Sequence, residues 1–186
     1  VYDDVVKGYE VGYRHVTHFY NAMSGFHNVR EYKQEGTVES VYLIDGMTVE
    51  VIADGIHVPI PLLKLVYKIK GVEGTALCTD GLSCSAGDEN MYLDPRFIIE
   101  NGVCKLADRS ALAGSVATMD RLIRTMVNEA GVTLFDAVRM SSETPARIMG
   151  VFDRKGSIKA GKDADMCIYD ADINLKGVIA YGKKVV

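Results

Sequence analysis

The 186-residue chain contains no tryptophan, and it has only four prolines and four cysteines. No CxxC pair occurs, so neither a disulfide framework nor a cysteine-rich zinc site is expected. No apolar run approaches the roughly 18 residues of a membrane span, because a charged residue interrupts each candidate. We therefore expect reduced thiols and no membrane partner.

A strong excess of charge of one sign is also absent. The chain has 21 Lys and Arg against 25 Asp and Glu, a net charge of −4, which argues against a broad nucleic-acid surface. The opening Val1-Tyr2-Asp3-Asp4 has neither the basic nor the apolar part of a signal peptide, and no initiator Met. These features favour a cytoplasmic protein whose natural start lies elsewhere.

What is present is an alternation of helix-period and strand-period segments. The first part predicts a helix, a short strand, a long loop, a strand, a helix and a strand over residues 4–12, 13–19, 23–36, 47–53, 59–70 and 75–79. The second part predicts two extended pieces within 92–105, helices over 118–130 and 133–140, and a helix with Thr144 as N-cap and Pro145 as its first residue. From residue 151, glycine turns and alternating residues predict a small β segment.

This order predicts a parallel α/β structure. Polar residues that follow the carboxyl ends of strands are typical of a (β/α)8 barrel, but a closed barrel takes about 250 residues. With three convincing strands of this type, the chain is expected to form only part of such a barrel.

Two histidines, His18 and His57, lie where metal-assisted chemistry would use them. His15 and His18 are three apart and face opposite sides of a strand, so they are not expected to share a metal. His18, nearer the strand end, is the better ligand candidate; the alternative is a buried histidine satisfied by a carbonyl. His57 follows an Asp-Gly turn and could bond a substrate, or simply belong to a turn before a helix.

Three further positions carry polar chemistry after strands or in loops. Asp80, just after the carboxyl end of a predicted strand, could hold or deprotonate a metal-bound water, or it could be a turn residue. Residues 112–115 (Leu-Ala-Gly-Ser) could present N–H groups to an anion, or form a helix N-cap. Arg30 is a surface ion-pair partner or a phosphate clamp, and Cys78 is interpreted as a small core side chain rather than a nucleophile.

Taken in order, these runs resemble the N-acetylglucosamine-6-phosphate deacetylase family of the amidohydrolase superfamily. The runs that carry the resemblance are THFYNAM, IADGIHV, CTDG, LAGS and the closing GSIKAGKDAD. The resemblance covers the whole chain but only the C-terminal half of a family member. It implies the C-terminal portion of a TIM-like barrel over residues 1–150 and the C-terminal strands of a small β-sandwich domain over 151–186.

The resemblance also implies roles for particular residues. A divalent metal ion, zinc or iron, would be held by His18, and Asp80 would be the catalytic acid and base. The implied contacts to a phosphorylated amino sugar are Asn21, Ala22, Arg30, His57, Leu112, Ala113, Gly114 and Ser115. Arg30 would reach across the interface of a homodimer. The family's other metal ligands, a Glu and a His, have no counterpart in this sequence.

The expected reaction is hydrolysis of the acetyl amide of N-acetylglucosamine-6-phosphate. Two alternatives stay open. The first is another amidohydrolase reaction, such as a dihydroorotase-like one. The second is a catalytically incomplete piece that needs a partner chain or its N-terminal half.

Overall fold

A computed structural model describes residues 1–88 and 94–186, and these residues form six helices and ten strands. The helices are α1 (Tyr2–Glu10), α2 (Thr37–Tyr42), α3 (Ile60–Gly74), α4 (Met119–Asn128), α5 (Leu134–Ser141) and α6 (Glu143–Ile148). The strands are β1 (His15–Val16), β2 (His27–Val29), β3 (Tyr32–Gln34), β4 (Thr48–Val51), β5 (Thr75–Leu77), β6 (Phe97–Glu100), β7 (Val103–Leu106), β8 (Met166–Tyr169), β9 (Leu175–Ala180) and β10 (Lys183–Lys184).

The sheet that organises the first part of the chain is parallel, with strand order β1-β4-β5. Val16 pairs with Val49 and Val51 pairs with Leu77, so all three strands end at the same edge. This arrangement confirms the predicted parallel α/β structure. The carboxyl edge is where such sheets collect functional side chains.

The central strand β4 has two different faces. Val49 and Val51 are fully buried, whereas Thr48 and Glu50 on the opposite face are half-buried. The buried face packs against the helices in one large hydrophobic core, to which α3, α4 and α5 contribute Leu63, Leu122 and Met140 among others.

The small β segment predicted from residue 151 is an antiparallel meander of β8, β9 and β10. It is attached to the rest of the chain. Ile173, between β8 and β9, is buried in the large core, and Arg124 of α4 donates a hydrogen bond to its carbonyl at 2.7 Å.

Several predictions about elements were wrong in detail. Residues 23–36 were expected to be a loop but contain the β2–β3 hairpin, whose short strands have no alternating apolar pattern. The strand expected over 13–19 covers only His15–Val16. Thr144 is not an N-cap: α6 begins after Ser142, and the Thr144 hydroxyl donates to the Val72 carbonyl at 2.8 Å.

The helices predicted over 118–130 and 133–140 are confirmed as α4 and α5. Thr133 caps α5 by accepting a hydrogen bond from the Asp136 N–H. Gly71 has a φ of 65°, and the helical geometry of α3 breaks there, as expected of a helix-ending glycine. The extended structure predicted from Tyr92 onward begins on a residue outside the described part, and β6 and β7 follow as a hairpin.

No helix within residues 1–88 and 94–186 is long and apolar enough to cross a membrane.

Candidate active site

His18, His57 and Asp80 each follow one strand of the parallel sheet. His18 comes two residues after β1, His57 six residues after β4 and Asp80 three residues after β5. Because the three strands end at the same edge, the structure brings the three segments to one side of the sheet.

His18 lies in a tight turn held by its neighbours. Its φ is 31°, and its carbonyl accepts hydrogen bonds from the Asn21 N–H at 2.9 Å and the Asn21 side-chain amide at 3.3 Å. The Nδ1 atom of His18 is buried and has no hydrogen-bond partner in the part of the chain that the structure describes. A buried, unpaired imidazole nitrogen is costly unless it has a ligand.

Glu50 holds the end of β1 in place from the central strand. Its carboxylate accepts a hydrogen bond from the Thr17 hydroxyl at 2.6 Å and lies 3.4 Å from the His18 N–H. It also lies 3.3 Å from Nε2 of His15, whose Nδ1 contacts the Thr48 hydroxyl at 2.9 Å. Burial raises the pKa of Glu50, but the hydrogen bonds from Thr17 and His15 outweigh it and the pKa lies below its usual value.

Asp54 and His57 form a buried pair after β4. The Asp54 Oδ2 atom lies 2.7 Å from Nδ1 of His57, and Nε2 of His57 lies 3.2 Å from the Gly114 carbonyl oxygen. The other Asp54 oxygen accepts hydrogen bonds from the N–H groups of Ile56 at 2.9 Å and His57 at 2.8 Å. His57 is therefore fixed in orientation by contacts at both ends of its ring.

Asp80 is exposed and its backbone supports the loop 112–115. Its φ is 46°, and its carbonyl accepts a hydrogen bond from the Ser115 N–H at 2.9 Å. Gly114 has a φ of 62°, and a Cβ there would meet Leu82 Cγ at 2.6 Å, so the site requires glycine. The loop thus touches both His57 and the strand end that carries Asp80.

Ser115 is not an N-cap, because α4 begins after Thr118. Its fully buried hydroxyl instead accepts a hydrogen bond from the Ala117 N–H at 2.8 Å. Leu112 and Ala113 extend the loop toward β7, where the Ala113 N–H donates to the Cys104 carbonyl at 3.0 Å. The loop is therefore anchored on both sides rather than opening a helix.

Arg30 lies apart from the buried contacts of the site. It occupies the two-residue turn between β2 and β3 with a φ of 54°, and it is exposed. Ala22 is likewise exposed, with a φ of 56°. No hydrogen bond or ion pair of the Arg30 guanidinium is found within residues 1–88 and 94–186.

Cys78 lies at the end of β5, close to Glu50 and Asp80. Burial, with the nearby Glu50 and Asp80 charges, raises the pKa of its thiol to about 12. A thiol with such a pKa carries almost no thiolate near neutral pH, which fits a packing role. All four cysteines are free.

The described residues supply one side chain, that of His18, that fits the role of a metal ligand. His18 offers a buried imidazole nitrogen without a protein partner. The described residues contain no group of three or more His, Cys, Asp or Glu side chains that could hold a metal ion.

Glu50 and Asp54 are the site residues that the sequence analysis did not single out. The sequence contains a feature that could have indicated each of them. Glu50 follows Thr48 at strand spacing, which places both on the face opposite the buried valines, and Asp54 precedes the glycine of a turn that leads to His57.

The chain belongs to the amidohydrolase family, which matches residues 1–185. Within that family it is similar to deacetylases of phosphorylated amino sugars, in both sequence and fold.

Two curated relatives illustrate the sequence similarity. The N-acetylglucosamine-6-phosphate deacetylase of Bacillus subtilis is 33% identical over 174 residues, which are 93% of this chain and 43% of the relative. A putative N-acetylgalactosamine-6-phosphate deacetylase of Escherichia coli K12 is 30% identical over 168 residues, which are 89% of this chain and 97% of the relative.

A solved structure shows the same fold. It is a mutant of the N-acetyl-D-glucosamine-6-phosphate deacetylase of Mycobacterium smegmatis in complex with N-acetyl-D-glucosamine-6-phosphate. The TM-score is 0.86 at 28% identity, and the match covers all of this chain and 49% of the other. The chain thus spans about half the length of this protein and of the Bacillus relative.

Proposed function

We propose that the chain forms part of a metal-dependent hydrolase that converts N-acetylglucosamine-6-phosphate and water to glucosamine-6-phosphate and acetate. The observation that carries the proposal is the arrangement of His18, His57 and Asp80 after neighbouring parallel strands that end at one edge. The Bacillus relative is named for this activity, and the Mycobacterium structure holds this sugar.

His18 would be one ligand of the metal, zinc or iron, through its otherwise unpaired imidazole. When bound, such an ion polarises a carbonyl and lowers the pKa of water. Catalytic zinc sites typically use three protein ligands, so the remaining ligands would come from outside the described residues.

Asp80 would move the proton. As the water oxygen bonds to the acetyl carbon, the Asp80 carboxylate takes a proton from that water. The protonated Asp80 then gives the same proton to the amide nitrogen as the carbon–nitrogen bond breaks, so that the amine leaves neutral. The exposed position of Asp80 at the edge of the sheet supports this role.

The other residues would bind and orient the sugar phosphate. His57 would donate a hydrogen bond to a substrate oxygen, and the loop formed by Leu112, Ala113, Gly114 and Ser115 would cover the sugar. Asn21 and Ala22, on the turn after β1, would contact the substrate. Arg30, whose guanidinium extends from a hairpin tip, would bind the phosphate from across a homodimer interface.

The finer architecture is part of the same proposal. Residues 1–150 would be the C-terminal portion of a TIM-like barrel, and residues 151–186 the C-terminal strands of a small β-sandwich domain. The parallel order β1-β4-β5 and the antiparallel meander β8–β10 support these assignments. We place the enzyme in the cytoplasm as a homodimer.

The test is acetate release by the protein purified at its native length. Asp80→Asn should lower kcat/KM for N-acetylglucosamine-6-phosphate by about 100-fold or more, because positioned acid–base catalysis is worth that much. Asp3→Asn removes the same charge from an exposed position of α1 and should leave the rate unchanged. An Asp80→Asn protein that keeps more than about a tenth of the activity would exclude the acid–base role.

The same assay addresses the two alternatives. Equal rates on phosphorylated and unphosphorylated N-acetyl hexosamines, or no acetate release by a protein that contains metal, would favour another amidohydrolase reaction. The second alternative is a chain that needs its N-terminal half or a partner to complete the metal site. An intact mass of 20.4 kDa together with a metal-free, inactive protein would support that alternative.

A further inference from the structure

The buried contacts of His57 constrain its protonation. The side chain is 3% exposed and that of Asp54 is 1% exposed. One ring nitrogen of His57 lies 2.7 Å from a carboxylate oxygen and the other lies 3.2 Å from the Gly114 carbonyl oxygen. Both of these partners are hydrogen-bond acceptors.

A neutral imidazole has one N–H and cannot satisfy both acceptors. In either tautomer, one nitrogen lone pair would face an oxygen lone pair at a site where both side chains are buried. An unmet buried polar contact of this kind costs about 1–3 kcal/mol. A ring with a proton on each nitrogen satisfies both oxygens at once.

The proton between Nδ1 of His57 and Oδ2 of Asp54 is bound to the histidine nitrogen rather than to the carboxyl oxygen. Burial raises the pKa of Asp54, but the hydrogen bonds from the His57 ring and from the two backbone N–H groups of Ile56 and His57 outweigh it. The pKa of Asp54 is therefore below its usual value, and the carboxylate keeps its negative charge near neutral pH.

We propose that Asp54 is a positioning residue that holds His57 as an imidazolium ion, with its Nε2–H directed at the loop 112–115. In the free protein this N–H donates to the Gly114 carbonyl. On the proposed function, on which this step rests, a substrate oxygen takes the place of that carbonyl and receives a charged hydrogen-bond donor. A charged donor forms a shorter and stronger hydrogen bond to an oxygen that gains negative charge.

Among the described residues, one charged side chain hydrogen bonds with the His57 ring. Asp54 is the charged side chain that hydrogen bonds with His57 within the described residues. The neighbouring strand end carries Asp80, whose carbonyl binds the loop, and Glu50 lies on the same strand β4 but contacts the end of β1. The loop itself presents only a carbonyl to the ring.

The protonation is measured directly by nitrogen-15 NMR of the histidine side chains in the protein at its native length, near neutral pH and without substrate. The chain has four histidines, and the signals of His57 are identified by their loss in His57→Gln. We expect both ring nitrogens of His57 to carry a proton in the wild type and only one to do so in Asp54→Asn. Asp3→Asn, which removes an exposed charge, should keep both.

A wild-type spectrum with one unprotonated ring nitrogen on His57 overturns the proposal, and so does an Asp54→Asn spectrum that retains both protons. If Asp54→Asn does not fold, the wild-type spectrum alone decides. Because this experiment involves no catalysis, its failure is distinguishable from a failure of the proposed reaction.

Discussion

His15 and His18 lie three residues apart but differ in what their rings contact. His15 has the Thr48 hydroxyl at one nitrogen and the Glu50 carboxylate at the other. His18 has a buried Nδ1 with no partner among residues 1–88 and 94–186. A histidine whose two ring nitrogens already have hydrogen-bond partners, such as His15, is a poor metal ligand. The Nδ1 atom of His18 is available to bind a metal.

This difference leads to a prediction about metal content. In the protein at its native length, His18→Gln should lower the bound metal measured by elemental analysis at least several-fold. His15→Gln should retain most of it, because its ring is already committed to hydrogen bonds. Equal metal loss in the two variants, or none in His18→Gln, would contradict the assignment of His18.

The sequence could predict which residue types gather at the site but not which contacts they make. His18, His57 and Asp80 follow strands and could be selected from the sequence. The contact between His57 and the Gly114 carbonyl joins positions 57 residues apart in the chain, so no local pattern indicates it. At Asp54 the sequence predicts only a turn, because the burial of Asp54 and its hydrogen bond to the His57 ring depend on the packing of distant segments.

At the scale of elements, β4 is the strand that fixes the site. It pairs with β1 on one side and β5 on the other, and its backbone reaches past β1, where the Phe19 N–H donates to the Glu50 carbonyl at 2.7 Å. The Glu50 side chain binds Thr17 and His15 in addition. Glu50 of the central strand thus supports the turn after β1 with both its backbone carbonyl and its side chain.

Removing the Glu50 side chain should weaken the sheet. Glu50→Ala leaves the Thr17 hydroxyl and the His15 ring without their acceptor, and the expected loss is about 1–3 kcal/mol in the free energy of unfolding, measured in urea. Glu50→Gln keeps an acceptor oxygen and should cost less. As a control, Glu129→Ala replaces an exposed glutamate at the end of α4 and should change stability by no more than about 0.5 kcal/mol. A loss in Glu50→Ala no larger than in this control would contradict the supporting role.

The β2–β3 hairpin illustrates where prediction of elements failed. Its strands have three residues each, and those of β2 are all exposed, so hydrophobic alternation cannot reveal them. By contrast, α4 was predicted within two residues because Leu122, Ile123 and Met126 recur at helical spacing and are buried. Hydrophobic periodicity therefore indicated α4, which buries one face, and could not indicate β2, which is exposed.

At the scale of the whole molecule, the C-terminal meander is tied to the first part through Ile173. This side chain is 6% exposed and belongs to the same core as β4 and α3. Its φ of 62° is unusual for a β-branched residue, so packing holds the backbone in a strained conformation.

Ile173→Ala should therefore lower the stability of the whole chain. Loss of a buried isoleucine side chain costs about 2–5 kcal/mol, and the urea midpoint should fall in a single transition seen by all probes. Ile168→Ala, on the exposed part of β8, serves as the control with a smaller effect. A separate early transition of the C-terminal strands would contradict the coupling.

The turn after β1 has a consequence for sequence variation. His18, Tyr20 and Ala22 all have positive φ, at alternating positions. Side chains branched at Cβ strongly disfavour that backbone region, while glycine and asparagine accept it. In a randomised library of this segment, valine, isoleucine and threonine should be depleted at residues 18, 20 and 22 for backbone reasons alone, even where chemistry would tolerate them.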